Sequence, residues 1–166
     1  MFLEIKVAIL NGVNIVNGMH QFLSDDEYLK NLAKTHNSKI FDFRKPPNPP
    51  NFSKGLWIDR NKPVLLIVGT DCGTGKMTTA WELKTRLTKL NKNIEFIGTG
   101  QTGILLSSGV AIDAVVADFM SGEVENLISD KINNEIDLII VEGQGSLSNY
   151  AYSGVTLDSI HGCMPD

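Results

Sequence analysis

The sequence predicts an α/β fold, a parallel sheet covered by helices on both faces, and three observations predict it. Residues 63–69 (PVLLIVG), Ile94–Ile97 and Ile136–Val141 are apolar almost throughout, as strands buried on both faces are. Helical sequence separates them, at 76–90 after the first run and at about 111–130 before the last. A glycine-rich loop, TDCGTG at 70–75, joins the first strand to its helix. Strands and helices that alternate in this way build a parallel sheet.

Composition bounds the remaining possibilities. The chain has 166 residues, 42% hydrophobic and 20% charged, which is enough for one sizeable core. A formal net charge of −4 with scattered lysines excludes the basic stripe that nucleic acid or an anionic membrane needs. The two cysteines, Cys72 and Cys163, form no CxxC and no His/Cys cluster, so neither a zinc site nor a disulfide framework is expected. A reducing cytoplasm fits that usage. The start, MFLEIKVAILNG, is broken by Glu4 and Lys6 and lacks the marks of a signal peptide. No apolar run reaches membrane-spanning length.

Along the chain, Phe2, Ile5, Ile9 and Leu10 share one face of a short helix that Asn11-Gly12 stops. A brief strand, Val13–Val16, follows. Ser24 and Glu27 have the spacing of a capping box for a helix over 25–36, with Tyr28, Leu29 and Leu32 as its buried stripe. Residues 39–44 (KIFDFR) alternate like a strand. Four prolines within 46–50 forbid helix and central strand alike, so residues 46–62 read as a linker between an N-terminal part, 1–45, and a second domain, 63–166. The helix after the glycine loop closes on Asn91.

The strongest chemical signal is Gly69-Thr70-Asp71-Cys72-Gly73-Thr74-Gly75-Lys76, followed by Met77, Thr78 and Thr79. Glycines let the backbone curl so that successive amides face a phosphate, the helix N-terminus adds partial positive charge, and the Lys76 ammonium neutralises the outer oxygens. This is a P-loop, and with it the fold class becomes a P-loop NTPase-like three-layer sandwich. It has one residue more between Gly69 and Gly75 than G-x-x-x-x-G-K-[ST], and Met77 stands where a hydroxyl ordinarily holds Mg²⁺. Either Thr78 or Thr79 then takes over, or the metal is held otherwise, or no metal-dependent hydrolysis occurs.

A second signal is IDLIIVEGQGSL, in which a strand delivers Glu142 to the ligand-binding edge of the sheet. There it is a candidate Mg²⁺ ligand, and Gly143, Gln144 and Gly145 are candidate pocket residues. A third is Gly98-Thr99-Gly100-Gln101-Thr102-Gly103, a literal G-x-G-x-x-G with Asp118 about 20 residues on. The break at Ser107-Ser108-Gly109 argues against a dinucleotide fingerprint. Gly100, Gln101, Thr102 and Gly103 are instead expected to shape a second-substrate pocket, with Asp113 and Asp118 as further candidate ligands. Of the histidines, His20 and His36 read as helix-end residues, and His161 is the candidate base. Cys72 reads as a small packing residue at a helix N-terminus.

Taken in order, VGTDCGTGKMTTA, FIGTGQTGIL, AIDAVVADFMSG, VEGQGSL and YSGVTLDSIHGCMPD resemble the C-terminal domain of the D-glutamate N-acetyltransferase family. NIVNGMHQFLSDD through FDFRKPP resembles the last part of that family's Rossmann-like N-terminal domain. GTD-x-x-x-GK with VEG is also similar to dethiobiotin synthetase, which implies Lys76 as the phosphate lysine and Glu142 as the Mg²⁺ ligand; the metal-binding Thr of that enzyme falls on Met77. The family resemblance implies acetyl transfer from acetyl-CoA to the amino group of D-glutamate, and a homo-oligomer; such transfer needs a base for the amine, for which Glu142 and His161 are the candidates. The similarity to dethiobiotin synthetase implies an ATP- and Mg²⁺-dependent ligase or kinase acting on a carboxylated small molecule. A nucleotide-binding regulator without catalysis is the third reading. Members of the family begin with a full sheet domain and continue past HGCMPD. The chain is therefore expected to be a fragment, poorly active alone, in which Ile136–Val141 lacks strand neighbours and leaves an exposed sheet edge.

Overall fold

The structure, a computed structural model, describes residues 2–166, which form two compact units, one ending at Lys45 and the other spanning Pro46–Asp166. In the first unit α1 (Phe2–Leu10) leads to β1 (Ile15–Asn17), then α2 (Glu27–Thr35) and β2 (Ile40–Asp42). The two strands pair in parallel, Ile15 opposite Ile40. Ile9, Leu23, Leu29 and Ala33 make its core. Phe2, Leu10 and Tyr28, expected to be buried, are exposed, because a core this small covers only one side of each helix. The expected capping box is absent. Asp26, not Ser24, caps α2, accepting from the Leu29 amide at 3.0 Å. The Ser24 amide instead donates to Asp42 at 2.7 Å. The strands, Ile15–Asn17 and Ile40–Asp42, are shorter than their sequence patterns and the first is displaced.

The second unit carries β3 (Val64–Ile67), α3 (Lys76–Lys89), β4 (Ile94–Gly98), α4 (Gln101–Leu106), β5 (Ser108–Gly109), α5 (Ala117–Lys131), β6 (Leu138–Glu142) and α6 (Ser153–Cys163). All its strands are parallel, in the order β3-β6-β4-β5. Period-two alternation splits the strand side chains between two layers. Leu65, Ile67, Phe96, Leu138 and Ile140 pack with Ala80, Trp81 and Leu83 of α3. Val64, Leu66, Ile97, Ile139 and Val141 pack with Val124 and Ile128 of α5 and Cys163 of α6. The result is the expected three-layer α/β architecture. α3 closes as read, with Asn91 at φ 58° after the last turn, the left-handed residue that commonly ends a helix.

A further expectation is overturned. Ile136–Val141 was expected to lack neighbours, yet β6 is central, paired with β3 on one side and β4 on the other. The reason is topological: the chain crosses over and inserts its last strand between the earlier two. Helix 111–130 also divides into a short 3₁₀ turn at Ile112–Ala114 and α5.

Residues 51–56 lie on α5 as a fixed strap. A Cβ at Gly122 would overlap the Asn51 and Phe52 backbone, so only glycine lets the strap lie this close. Glu123 accepts from the Asn51 amide at 2.7 Å and its side chain at 3.1 Å. Glu125 accepts from the Ser53 hydroxyl and from the Lys54 and Leu56 amides. Burial pushes the Glu125 carboxyl up, but these bonds outweigh it and hold the group below its ordinary value.

Candidate functional site: a P-loop cavity closed by the Glu142 loop

Register brings three loops to one edge of the sheet. Ile67 pairs with Glu142, and Val141 pairs with Ile97, so the segments after β3, β6 and β4 leave the sheet side by side. This is the edge where parallel sheets bind ligands. A cavity of about 370 Å³ opens there, lined on one side by Cys72, Gly73, Gly75, Lys76, Met77 and Thr78 and on the other by Glu142, Gly143, Gln144 and Gly145.

The P-loop is shaped by backbone conformation. Gly73 at φ 69° and Gly75 at φ 88° occupy the left-handed region, and a Cβ on either would meet nothing within 4 Å. Glycine is needed there for its dihedrals. Among the described residues that open α3, Thr79 alone passes its amide to a loop carbonyl, Gly75 at 2.9 Å. The preceding helix-start amides remain for a ligand, as at any helix N-terminus. Lys76 Nζ donates to the carbonyls of Asp71 and Gly145, both at 2.9 Å, and so bridges the two walls of the cavity.

The walls are also stitched behind the cavity. The Leu147 amide donates to Gly69 C=O at 2.9 Å, and Ser146 Oγ to Thr70 C=O at 2.6 Å. Asp71 Oδ1 accepts from the Cys72 amide at 2.7 Å and from Asn149 Nδ2 at 3.3 Å. Thr74 Oγ1 donates to Asp71 C=O at 3.0 Å. Gly69, Thr70, Asp71 and Thr74 therefore build the loop without lining the cavity, whereas Cys72, Lys76, Met77 and Thr78 line it. Thr79 turns to a neighbouring groove beside Glu82 and Arg86. Ser146 and Asn149 carried no sequence signal of this role, which depends on partners more than 70 residues away.

The GTGQTG loop serves Glu142. Thr99 and Gly100 amides each donate to Glu142 Oε2 at 3.1 Å, and Thr99 Oγ1 donates to the Glu142 carbonyl at 2.5 Å. A Cβ at Gly103 would overlap Glu142 Oε2, and one at Gly98 would overlap the Gly103 carbonyl carbon and the Ile104 nitrogen. The glycines exist to let this loop close on a carboxylate of the same chain. Burial pushes the Glu142 carboxyl above its ordinary value, against the Gly100 and Thr99 amides and the Lys76 ammonium, which pull it down. Thr99 is fully buried and bonds Glu142, whereas its exposed neighbours Gln101 and Thr102, expected to shape a pocket, do not line the cavity.

His161 is not brought to this site. It is exposed in the last turn of α6, a helix that runs from the Glu142 loop back to the opposite edge. There Arg60 donates to the carbonyls of Cys163 and Met164, and Asp166 bonds Val64, the first residue of β3. Nearness in sequence to Glu142 misled because one helix carries the chain across the sheet. Asp113 and Asp118 are exposed outside the cavity lining. Burial pushes the Cys163 thiol to about 12, so it stays protonated and unreactive.

Among the described residues no three His, Cys, Asp or Glu side chains cluster to hold a metal ion. Glu142 is the one acidic side chain lining the cavity, with Thr78 contributing a hydroxyl and Met77 none. A Mg²⁺ here would rest on these two groups, the ligand's phosphates and water. Among the described residues no helix is long and apolar enough to cross a membrane.

The comparisons with known proteins agree with this architecture. Residues 51–166 match the family described as domain of unknown function (DUF1611_C), P-loop domain, and residues 3–46 match domain of unknown function (DUF1611_N), Rossmann-like domain. The chain is 45% identical over 163 residues to a protein of Pseudoalteromonas sp named D-glutamate N-acetyltransferase, covering 98% of this chain and 48% of that protein. It is 39% identical to another of that name from Tritonibacter scottomollicae, covering 96% of this chain and 47% of the relative. A crystal structure of a DUF1611 family protein from Anabaena variabilis superposes with a TM-score of 0.90 at 36% identity, over 99% of this chain and 47% of that one. The chain thus spans about half the length of the relatives it matches. A match across residues 51–166, more than half of the chain, makes this protein a member of the DUF1611 family.

Proposed function

We propose that the cavity holds acetyl-CoA by its phosphates, and that the protein transfers the acetyl group to the amino group of D-glutamate. The observation that carries this reading is a phosphate cradle whose opposite wall presents one carboxylate, Glu142, with a raised proton affinity. The names of the two relatives supply the acceptor and the reaction. The residues suit the donor: helix-start amides and Lys76 bind phosphate oxygens without a metal, so Met77 in the hydroxyl position is no obstacle. Bound acetyl-CoA would supply an acetyl thioester, whose C–S bond breaks as the new N–C bond forms.

Glu142 is the base in this reading. An amino acid arrives with its amine protonated, and the nucleophile is the neutral amine. Glu142 takes one proton from the ammonium; the second proton that the nitrogen loses accompanies the departing thiol. Thr99 and Gly100 hold the carboxylate by Oε2, leaving Oε1 toward the cavity. A raised proton affinity brings the base nearer to neutrality, where a general base works best.

The second reading, ATP- and Mg²⁺-dependent ligation or phosphorylation of a carboxylated substrate, is favoured by Glu142 at the end of the strand next to the P-loop strand. Calorimetric titration separates the two. The proposal expects saturable binding of acetyl-CoA without Mg²⁺ and weaker binding of ATP with Mg²⁺; the reverse order would overturn it in favour of the ligase reading.

A further inference from the structure

Glu142 and Gln144 leave β6 on either side of Gly143, whose missing side chain lets the strand end press against Ile67 C=O; a Cβ there would overlap that oxygen. The backbone between the two residues is thus held in place. Their side chains converge on the bare Cα of Gly100. A Cβ at Gly100 would lie 3.2 Å from Glu142 Oε1 and would overlap Gln144 Nε2. Glycine at 100 is what leaves room for both groups, and both line the cavity.

Each of them has an uncommitted atom. Glu142 spends Oε2 on the Thr99 and Gly100 amides and its main-chain carbonyl on Thr99 Oγ1. Thr156 Oγ1 takes the main-chain carbonyl of Gln144 at 2.8 Å. Among the described residues no group pairs with Glu142 Oε1 or with the Gln144 side-chain amide. A charged acceptor and a neutral donor therefore stand side by side at the cavity wall. Lys76 lies beyond them, docked on the Gly145 carbonyl.

We infer that Glu142 Oε1 and Gln144 Nε2 together read the α-carbon of the acceptor, the first taking its ammonium and the second donating to its α-carboxylate. An ammonium and a carboxylate on one carbon are the complement of an acceptor and a donor converging on one point. The substrate class this fits is a free α-amino acid. An amine without the neighbouring carboxylate leaves the Gln144 amide unanswered, and that omission is where discrimination arises. The inference rests on the acetyl-transfer reading for the identity of the acceptor and adds Gln144 as its specificity residue.

The test compares D-glutamate with 4-aminobutyrate, which keeps the amine and the distal carboxylate but lacks the α-carboxylate. Binding is measured by calorimetry in the presence of acetyl-CoA, and transfer by steady-state kinetics, on the full chain and on Gln144→Ala and Gln144→Glu. A lost hydrogen bond to a charged group corresponds to about a 10- to 100-fold loss of affinity. Gln144→Ala is expected to show that loss for D-glutamate in Kd and KM and a much smaller one for 4-aminobutyrate. Gln144→Glu, which sets like charge against the α-carboxylate and retains the side chain's size, is expected to lose more. Equal losses for the two amines, or no loss for D-glutamate in either variant, would overturn the inference. Wild-type binding of both ligands without transfer would instead sink the acetyl-transfer reading and leave the recognition pair standing. Absence of D-glutamate binding with acetyl-CoA still bound would sink the pair and D-glutamate as the acceptor together.

Discussion

The P-loop and the GTGQTG loop are both glycine-rich turns from a buried strand into a helix, at the same sheet edge, yet their glycines answer different demands. Gly73 and Gly75 sit at positive φ with open space where a side chain would be. Gly98, Gly100 and Gly103 have no such conformation and no such space. One loop needs glycine for its left-handed backbone. The other needs glycine to fold inward, onto Glu142 and beside Gln144. The lesson is that a glycine motif has two causes its letters do not separate: a left-handed backbone in one loop, and close approach to a carboxylate of the same chain in the other.

Alanine substitution should break this comparison most sharply. Gly98→Ala drives a methyl group into the backbone of Gly103 and Ile104, which cannot yield as a side chain can. Overpacking of this kind costs about 1–3 kcal/mol or more. Gly103→Ala meets the Glu142 carboxylate, and removing that carboxylate with Glu142→Ala should recover part of the loss, a non-additivity that marks direct contact. Gly73→Ala meets no atom and carries only the left-handed penalty of about 1–2 kcal/mol. Thermal or denaturant unfolding should rank Gly98→Ala as the most damaging and Gly73→Ala as the least. The opposite ranking would mean that the two loops do not differ as described.

A smaller effect sharpens the inward-facing side. Because Glu142 keeps its proton to higher pH in the folded protein than in the unfolded chain, its contribution favours the fold at low pH. Stability from this group declines as pH rises from the ordinary carboxylate value through the raised one. Glu142→Gln should remove that slope and leave the curve flatter in this window. An unaltered pH dependence would show that Glu142 is not desolvated as described.

Much of the fold was legible because the apolar strands, the glycine loop with Lys76 and the helix ending at Asn91 are local patterns. Glu142 was legible for the same reason, as the residue a buried strand delivers to its end. What escaped depends on distant partners. Glu123 and Glu125 fasten the 51–56 strap through partners 72 and 71 residues earlier in the chain. β5 is two residues long, below any periodic signal. The central place of β6 follows from a crossover, and His161 lies at the far edge because of the path of α6. Thr99, lying inside a motif dominated by its glycines, shows its role only when Glu142 is brought across from β6.

If the outward-facing loop holds the phosphates of acetyl-CoA, Lys76→Ala removes the one ammonium that, among the described residues, lines the cavity. Calorimetric titration of acetyl-CoA into wild type and variant, at matched ionic strength, should give a 10- to 100-fold weaker Kd for the variant, the size of a lost charge-assisted hydrogen bond of about 1.5–3 kcal/mol. A folded Lys76→Ala protein that binds acetyl-CoA as tightly as wild type would contradict the account.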